Sequence, residues 1–195
     1  MDSQQIVWSQ GAWSHPPVSS EETEGGLVVE AHRQSDAWRE TAYGFTHDSE
    51  HALLADLATE EAMEVTFEGS FNAQFDQAGL FVRIDQKTWI KAGVESVDGL
   101  LQLGAVVTHG FSDWSVAPVA EWAGRPITIR ASRSGNAMTI RARVNDEAWR
   151  LVRLCYWPEG VASKAGPFVA APTRAGLSVT FTSWSRGPID SSLHE

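Results

Sequence analysis

The stretch FDQAGLFVRIDQKTWIKAGVESVDGLLQLGAVVTHGFSDWS, residues 75–115, carries three successive runs in which apolar residues alternate with polar or small ones. Ala78, Leu80, Val82 and Ile84 alternate with Gly79, Phe81 and Arg83, the period of two that marks a strand with one face buried. Thr88, Ile90, Ala92 and Val94 alternate in the same way with Trp89, Lys91, Gly93 and Glu95. With Asp85, Gln86 and Lys87 as the connecting loop, Ile84 faces Thr88, Val82 faces Ile90 and Leu80 faces Ala92. A loop one residue shorter sets Arg83 opposite Ile90 and mixes the faces, against which a half-buried strand is strongly specified. Asp98-Gly99 then suits a two-residue type I′ turn, whose central residues both need positive φ. That turn pairs Val94 with Leu103, Ala92 with Ala105 and Ile90 with Val107.

The opposite face of this three-stranded sheet reads in rows. Gln77, Glu95 and Gln102 come first, then Gly79, Gly93 and Gly104, then Phe81, Lys91 and Val106, and finally Arg83, Trp89 and Thr108. A glycine inside a strand costs roughly 0.5–1 kcal/mol relative to alanine, so three in one row imply that something comes close to the backbone. One reading is a ligand trough floored by Gly79, Gly93 and Gly104, with Gln77, Glu95 and Gln102 on one side and Lys91, Trp89 and Arg83 on the other. The other reading is a large side chain from elsewhere lying over the glycines. Asp113 and Trp114, in a loop leaving the third strand, are expected beside Arg83 and Trp89, with Asp76 at the opposite end. Amide donors on Gln77 and Gln102 are expected to keep Glu95 ionised.

Turn signals recur about every dozen residues through the middle of the chain, as in a sandwich or barrel. Ile127, Ile129 and Ala131 face one way, Met138, Ile140 and Ala142 answer them across a hairpin, and Leu177, Val179 and Phe181 form a closing strand. Helical periodicity is nearly absent, with room for a turn or two around Leu53, Leu54 and Leu57. The 195 residues are expected to form a single all-β domain, with its core at about 6–185 and a short flexible tail after Trp184. Cys155 is the one cysteine, so no internal disulfide forms, and MDSQQ lacks the basic and apolar regions of a secretory signal; the expected location is cytoplasmic. No apolar run approaches the roughly 20 residues that span a bilayer. With 15 basic against 25 acidic side chains, the formal charge of −10 argues against nucleic acid and anionic membranes as partners. Nine tryptophans serve first as large packing residues, and their faces also stack on sugar rings.

Four strings resemble one family: DAWRETAYGFTHDSEH at 36–51, FDQAGLFVRIDQKTWIKAGVE at 75–95, VVTHGFSDWS at 106–115 and AGPFVAAP at 165–172. They look like the domain-of-unknown-function family that contains the regulator-of-enolase-like proteins, in the family's order, from about Trp8 to Trp184. The resemblance implies a concanavalin A-like sandwich of two curved antiparallel sheets, of jelly-roll type. It also implies a protein partner among metabolic, glycolytic enzymes. Glucanases of similar fold carry paired acids on one strand, whereas the corresponding surface here offers Glu95 alone. Glycoside hydrolysis takes two carboxyls, about 5–5.5 Å apart for retention, so Glu95 needs a partner such as Asp76 or Asp98.

A second cluster gathers Asp36, Trp38, Arg39 and Tyr43 early in the chain, with Arg39 able to fork onto Asp36 or Asp113. His51 reads as a loop residue bonded to backbone or lining the trough mouth, because the His47–His51 spacing has metal-site geometry only on a helix. Ser112, His109 and Asp113 name a hydrolytic triad but lie within five residues and lack a nucleophile elbow. No metal, cofactor or catalytic residue is assigned. The expected function is non-catalytic binding of a carbohydrate or carbohydrate-like metabolite at the lectin-like, glycine-floored trough. The alternatives are an interaction module that regulates a metabolic enzyme and a divergent glycoside-processing enzyme using Glu95.

Overall fold

Period-two alternation recurs along almost the whole chain, and the chain answers it with strands. The computed structural model describes residues 3–193. In chain order the first strands are β1 (Gln4–Gln5), β2 (Ala12–Trp13), β3 (Ser19–Thr23), β4 (Gly26–Glu30), β5 (Ala37–Arg39) and β6 (Thr46–Asp48). Then come β7 (His51–Leu57), β8 (Glu61–Gly69), β9 (Gln77–Asp85), β10 (Thr88–Val97), β11 (Leu100–His109) and β12 (Phe111–Pro118). The last are β13 (Ile127–Ser134), β14 (Ala137–Val144), β15 (Arg150–Tyr156), β16 (Ser163–Ala170) and β17 (Ser178–Gly187). One sheet runs β12-β11-β10-β9-β16-β7-β2, and the second runs β15-β14-β13-β8-β17-β4-β3 with β1 added on β17. β5 and β6 form a separate hairpin. The result is an all-β antiparallel sandwich.

The core lies between the sheets. Leu80, Val82, Ile90, Ala92, Val94, Leu103, Ala105 and Val107 point into it from the first sheet and meet Met63, Val65, Ile129, Ile140 and Phe181. All four outward rows form as the alternation requires: Gln77–Glu95–Gln102, Gly79–Gly93–Gly104, Phe81–Lys91–Val106 and Arg83–Trp89–Thr108. The turn between β10 and β11 has Asp98 at φ 52° and Gly99 at φ 78°, the two positive values that type I′ demands.

Four local expectations give way. The Lys87 N–H donates to Asp85 Oδ1 at 2.7 Å, which closes the first turn around Gln86-Lys87 and pairs Thr88 with Asp85 instead of Ile84. An irregularity between Thr88 and Trp89 then restores the register, so that Arg83 faces Trp89. Residues 51–57 are strand β7 rather than helical turns. Ala52 and Leu54 pack outward while Leu53, Ala55 and Leu57 pack inward, and a strand buried on both faces loses the alternation that distinguishes it from a helix. The segment holding Asp113 and Trp114 is a fourth strand, β12, on the edge of the sheet. Past Trp184, β17 continues to Gly187, and Asp190 is tied to the sheet, accepting from Arg130 Nε at 2.7 Å and Arg141 Nε at 3.0 Å.

The glycine row is accounted for by the sheet itself. A Cβ on Gly79 would stand 2.0 Å from the Ala92 carbonyl oxygen, one on Gly93 2.1 Å from that of Ala78, and one on Gly104 2.1 Å from that of Ser115. Neighbouring backbone therefore occupies the space where a side chain would go. What lies above Gly93 and Gly104 is a hollow of about 20 Å³ that Phe168 helps to line. That is space for a single water, so the glycines do not floor a sugar-sized trough, and no foreign side chain is needed to explain the row, because the adjacent carbonyls already fill the space. Gly93→Ala is accordingly expected to lower stability by about 2 kcal/mol, or roughly 4–8 °C in Tm. Gly25→Ala, whose Cβ would meet no atom closer than 3.7 Å, is expected to leave the thermal transition unchanged in the same calorimetric scan.

Candidate ligand pocket

The outward face of the first sheet is covered by the β5–β6 hairpin. Trp38 packs with Ala52, Leu54, Phe81, Trp89, Val106 and Phe168 in a second apolar cluster. Arg39 ties the hairpin to β12, its backbone N–H donating to Ser112 Oγ at 2.9 Å and its Nε to the Gly110 carbonyl at 3.1 Å. At the other end Arg83 donates to Asp48 at 3.3 Å and Glu50 at 3.2 Å.

Between hairpin, sheet and β12 a cavity of about 330 Å³ opens. Its walls are aromatic. Trp38 stands perpendicular to Trp114, with interplanar angle 88° and centroids 6.4 Å apart, and Tyr43 stacks on Phe45 at 5.3 Å. Tyr43 and Phe45 are 58% and 43% exposed, and His47, Phe75 and Pro172 complete the rim.

Its polar groups come from Asp36, Gln77, Lys91 and Glu95. Lys91 Nζ donates to Asp36 Oδ1 at 2.7 Å, and the same oxygen accepts from the Ala37 N–H at 2.8 Å and Gln77 Nε2 at 3.3 Å. Glu95 Oε1 accepts from Trp114 Nε1 at 2.7 Å. Burial pushes the Glu95 carboxyl above the usual carboxylate range; Lys91 and the Trp114 bond hold it down, and nearby Asp36 adds to the rise. The expected amide buttress on Glu95 thus fails, because Gln77 turns to Asp36 and the Phe75 carbonyl, and desolvation pushes the carboxyl up where amide donors would have held it down.

The structure merges parts of the two clusters read from the sequence. Gln77, Lys91, Glu95 and Trp114 join Asp36, Trp38 and Tyr43 in one pocket. β12, as a fourth strand, sets Trp114 beside Val106, one row nearer Glu95 than expected. Trp89 is 3% exposed and stacked on Phe81, so it offers no face to a ligand. Arg83 is committed to Asp48 and Glu50, and Arg39 to Gly110 and Ser112 instead of a carboxylate. Asp113 lies in register with the inward Val107 and pairs with Arg153 at 3.2 Å, and Gln102 faces Pro118 on β12 outside the cavity lining. His51 is buried within β7: its Nε2 accepts from the His32 N–H, which leaves Nδ1 to donate to the His15 carbonyl. Asp76 is fully buried and binds Arg174 at 2.7 Å and the N–H groups of Asn72 and Ala73. Phe45, Phe75 and Pro172 carry no mark in the sequence as lining residues, and His47 is weighed there only as a metal ligand. The aromatic alternation Tyr43-Gly-Phe45 is the one signal that points toward them.

The sandwich recurs in solved glycoside hydrolases. The GH43 BlXynB protein from Bacillus licheniformis matches with a TM-score of 0.72 at 12% identity, over 94% of this chain and 37% of that one. At that identity the likeness concerns the fold alone. A functionally unknown protein from Saccharomyces cerevisiae matches with a TM-score of 0.89 at 36% identity, over 95% of this chain and 100% of that one. Residues 13–189 match the family described as protein of unknown function, DUF1349. Regulation of enolase protein 1 of Saccharomyces cerevisiae is 37% identical over 196 residues, covering 100% of this chain and 98% of that protein. The chain belongs to the DUF1349 family.

A group whose folded-state pKa is raised holds its proton more tightly in the native state, so stability falls as pH rises from the ordinary 4.5 to the raised value and is level above it. Glu95→Gln is therefore expected to gain stability relative to wild type as pH climbs through that window, read as the difference between their Tm values from pH 4 to 8. Trp114→Phe, which removes the bond favouring the ionised form, is expected to move the Glu95 carboxyl titration, followed by ¹³C NMR, still higher.

Proposed function

We propose that the pocket binds a carbohydrate or carbohydrate-like metabolite. The observation that carries this reading is the pairing of perpendicular Trp38 and Trp114 rings with a floor of hydrogen-bonding groups, Gln77, Lys91, Asp36 and Glu95, in a cavity of about 330 Å³. Sugar rings need both halves of that arrangement. Their C–H faces stack on indole and phenol rings, and their hydroxyls take up amide, ammonium and carboxylate partners. The site differs from the glycine-floored trough by one step along the sheet, but it keeps Lys91 and Glu95 at its centre.

A second reading is supported by the relative's name: a module that regulates a metabolic enzyme, enolase above all, by direct contact. The two are compatible, since a metabolite pocket can gate an interaction surface. A cytoplasmic setting goes with both, and the single cysteine, Cys155, is free.

Tyr43→Ala and Phe45→Ala, at exposed rim positions, are expected to weaken saccharide binding about fivefold each, or roughly 1 kcal/mol, without moving Tm. Titration calorimetry against a panel of mono- and disaccharides checks this. If no sugar binds while the wild type co-elutes with purified enolase on gel filtration, the interaction reading replaces the binding one.

A further inference from the structure

We propose that the pocket is a general acid–base site that interconverts the anomers of a free reducing monosaccharide, with Glu95 and Asp36 as the two proton-transferring groups. The inference rests on the saccharide reading above and adds a reaction to it.

Three features of the geometry carry it. The first is Glu95, which lines the cavity and uses only Oε1 for a protein bond, to Trp114 Nε1; Oε2 has no hydrogen-bond partner among the described residues. The second is Asp36, whose Oδ1 is held by the Ala37 N–H, Gln77 and Lys91, while Oδ2 accepts no bond among the described residues. Each carboxyl is thus fixed by one oxygen and offers the other. The third is Lys91, which spends one of its three donors on Asp36 and acts electrostatically on Glu95. It stands ready for the oxygen on which negative charge develops. Burial favours the protonated form of Glu95, as an acid requires, and with Lys91 Nζ 2.7 Å from Asp36 Oδ1, Oδ2 is left as the acceptor that a base needs.

The cavity is at the small end of ligand pockets, which suits one sugar ring rather than a chain. With a hemiacetal ring in place, Glu95 gives its proton to the ring oxygen as Asp36 takes the proton of the anomeric hydroxyl. The bond between the anomeric carbon and the ring oxygen breaks, and its electron pair stays on that oxygen. The electron pair of the hydroxyl O–H bond becomes the second bond of the new carbonyl. Rotation about the adjacent carbon–carbon bond turns the other carbonyl face to the ring hydroxyl. Closure returns the first proton to Glu95 and the second to the new anomeric oxygen. The cycle consumes no water and no co-reactant. Hydrolysis through a covalent intermediate would instead ask Asp36 to act as a nucleophile while one oxygen is held by three donors, a poorer use of the same geometry.

The test follows D-glucose, D-galactose and D-xylose labelled with ¹³C at the anomeric carbon. Exchange NMR reads the α-to-β rate, and chemical-shift titration of the protein reads binding. The expected result is acceleration of exchange for a sugar that binds. Glu95→Gln, which can still accept from the Trp114 indole, should lose at least about 10²-fold of that acceleration when compared with wild type at saturating sugar, so that any loss of binding does not enter the comparison. Asp36→Asn should lose it too, although it also loosens Lys91, so Glu95→Gln decides. Binding without acceleration overturns this inference and leaves the binding site standing. Acceleration that survives in Glu95→Gln overturns it as well. Failure of every sugar to bind overturns the saccharide reading together with the reaction.

Discussion

Asp36 Oδ1 accepts from three donors that belong to three parts of the chain: the Ala37 N–H that opens the hairpin, Gln77 on β9 and Lys91 on β10. Through this one oxygen a surface hairpin becomes part of the sandwich. Lys91 is 7% exposed, so its ammonium ion has left water, and an ion pair so placed recovers its desolvation cost only when further hydrogen bonds surround it. The Ala37 and Gln77 donors meet that condition. The pocket exists because the hairpin is held at this height above the sheet, with Trp38 filling the space toward Phe168 and leaving the space toward Trp114 open.

The registers of β9, β10 and β11 were legible because alternation, a type I′ turn and two-sided burial all agree on them. Once Val82 faces Ile90 and Ala92 faces Ala105, the outward rows follow, and Lys91 and Glu95 lie on the ligand side. Their partners were not legible. Asp36 lies 55 residues before Lys91, and nothing local to either marks the contact. Trp114 reads as a loop residue, since FSDWS lacks a clear apolar alternation. β12 is an edge strand with Trp114 itself 36% exposed, and edge strands carry the weakest pattern.

The misreading of the glycine row has a physical cause. Small residues on a sheet face report only that something is near, and the same signal comes from a ligand, a foreign side chain or the next strand's carbonyls. Here the carbonyls of Ala78, Ala92 and Ser115 take the space. The outward face is also far drier than the sequence suggests. Gln77, Lys91 and Thr108 are buried there, since the hairpin and Phe168 turn a face that reads as solvent-exposed into a second interior. Polar residues in that interior are bonded to one another, and it is this enclosed set that has the character of a site.

The sheet order carries a consequence for how the molecule is made. β16 lies between β9 and β7 in one sheet, and β17 lies between β8 and β4 in the other. Both sheets are therefore divided until the last strands are in place, however well the hairpins β9–β10–β11 and β13–β14 have formed by themselves. A chain emerging from the ribosome holds four unpaired edges at the centres of its future sheets, and it closes both only once β16 and β17 have emerged. Such long-range closure makes folding slow and exposes a nascent chain to edge-to-edge association. A cell that makes this sandwich in quantity has reason to guard the growing chain with a chaperone rather than leave it to fold as it emerges.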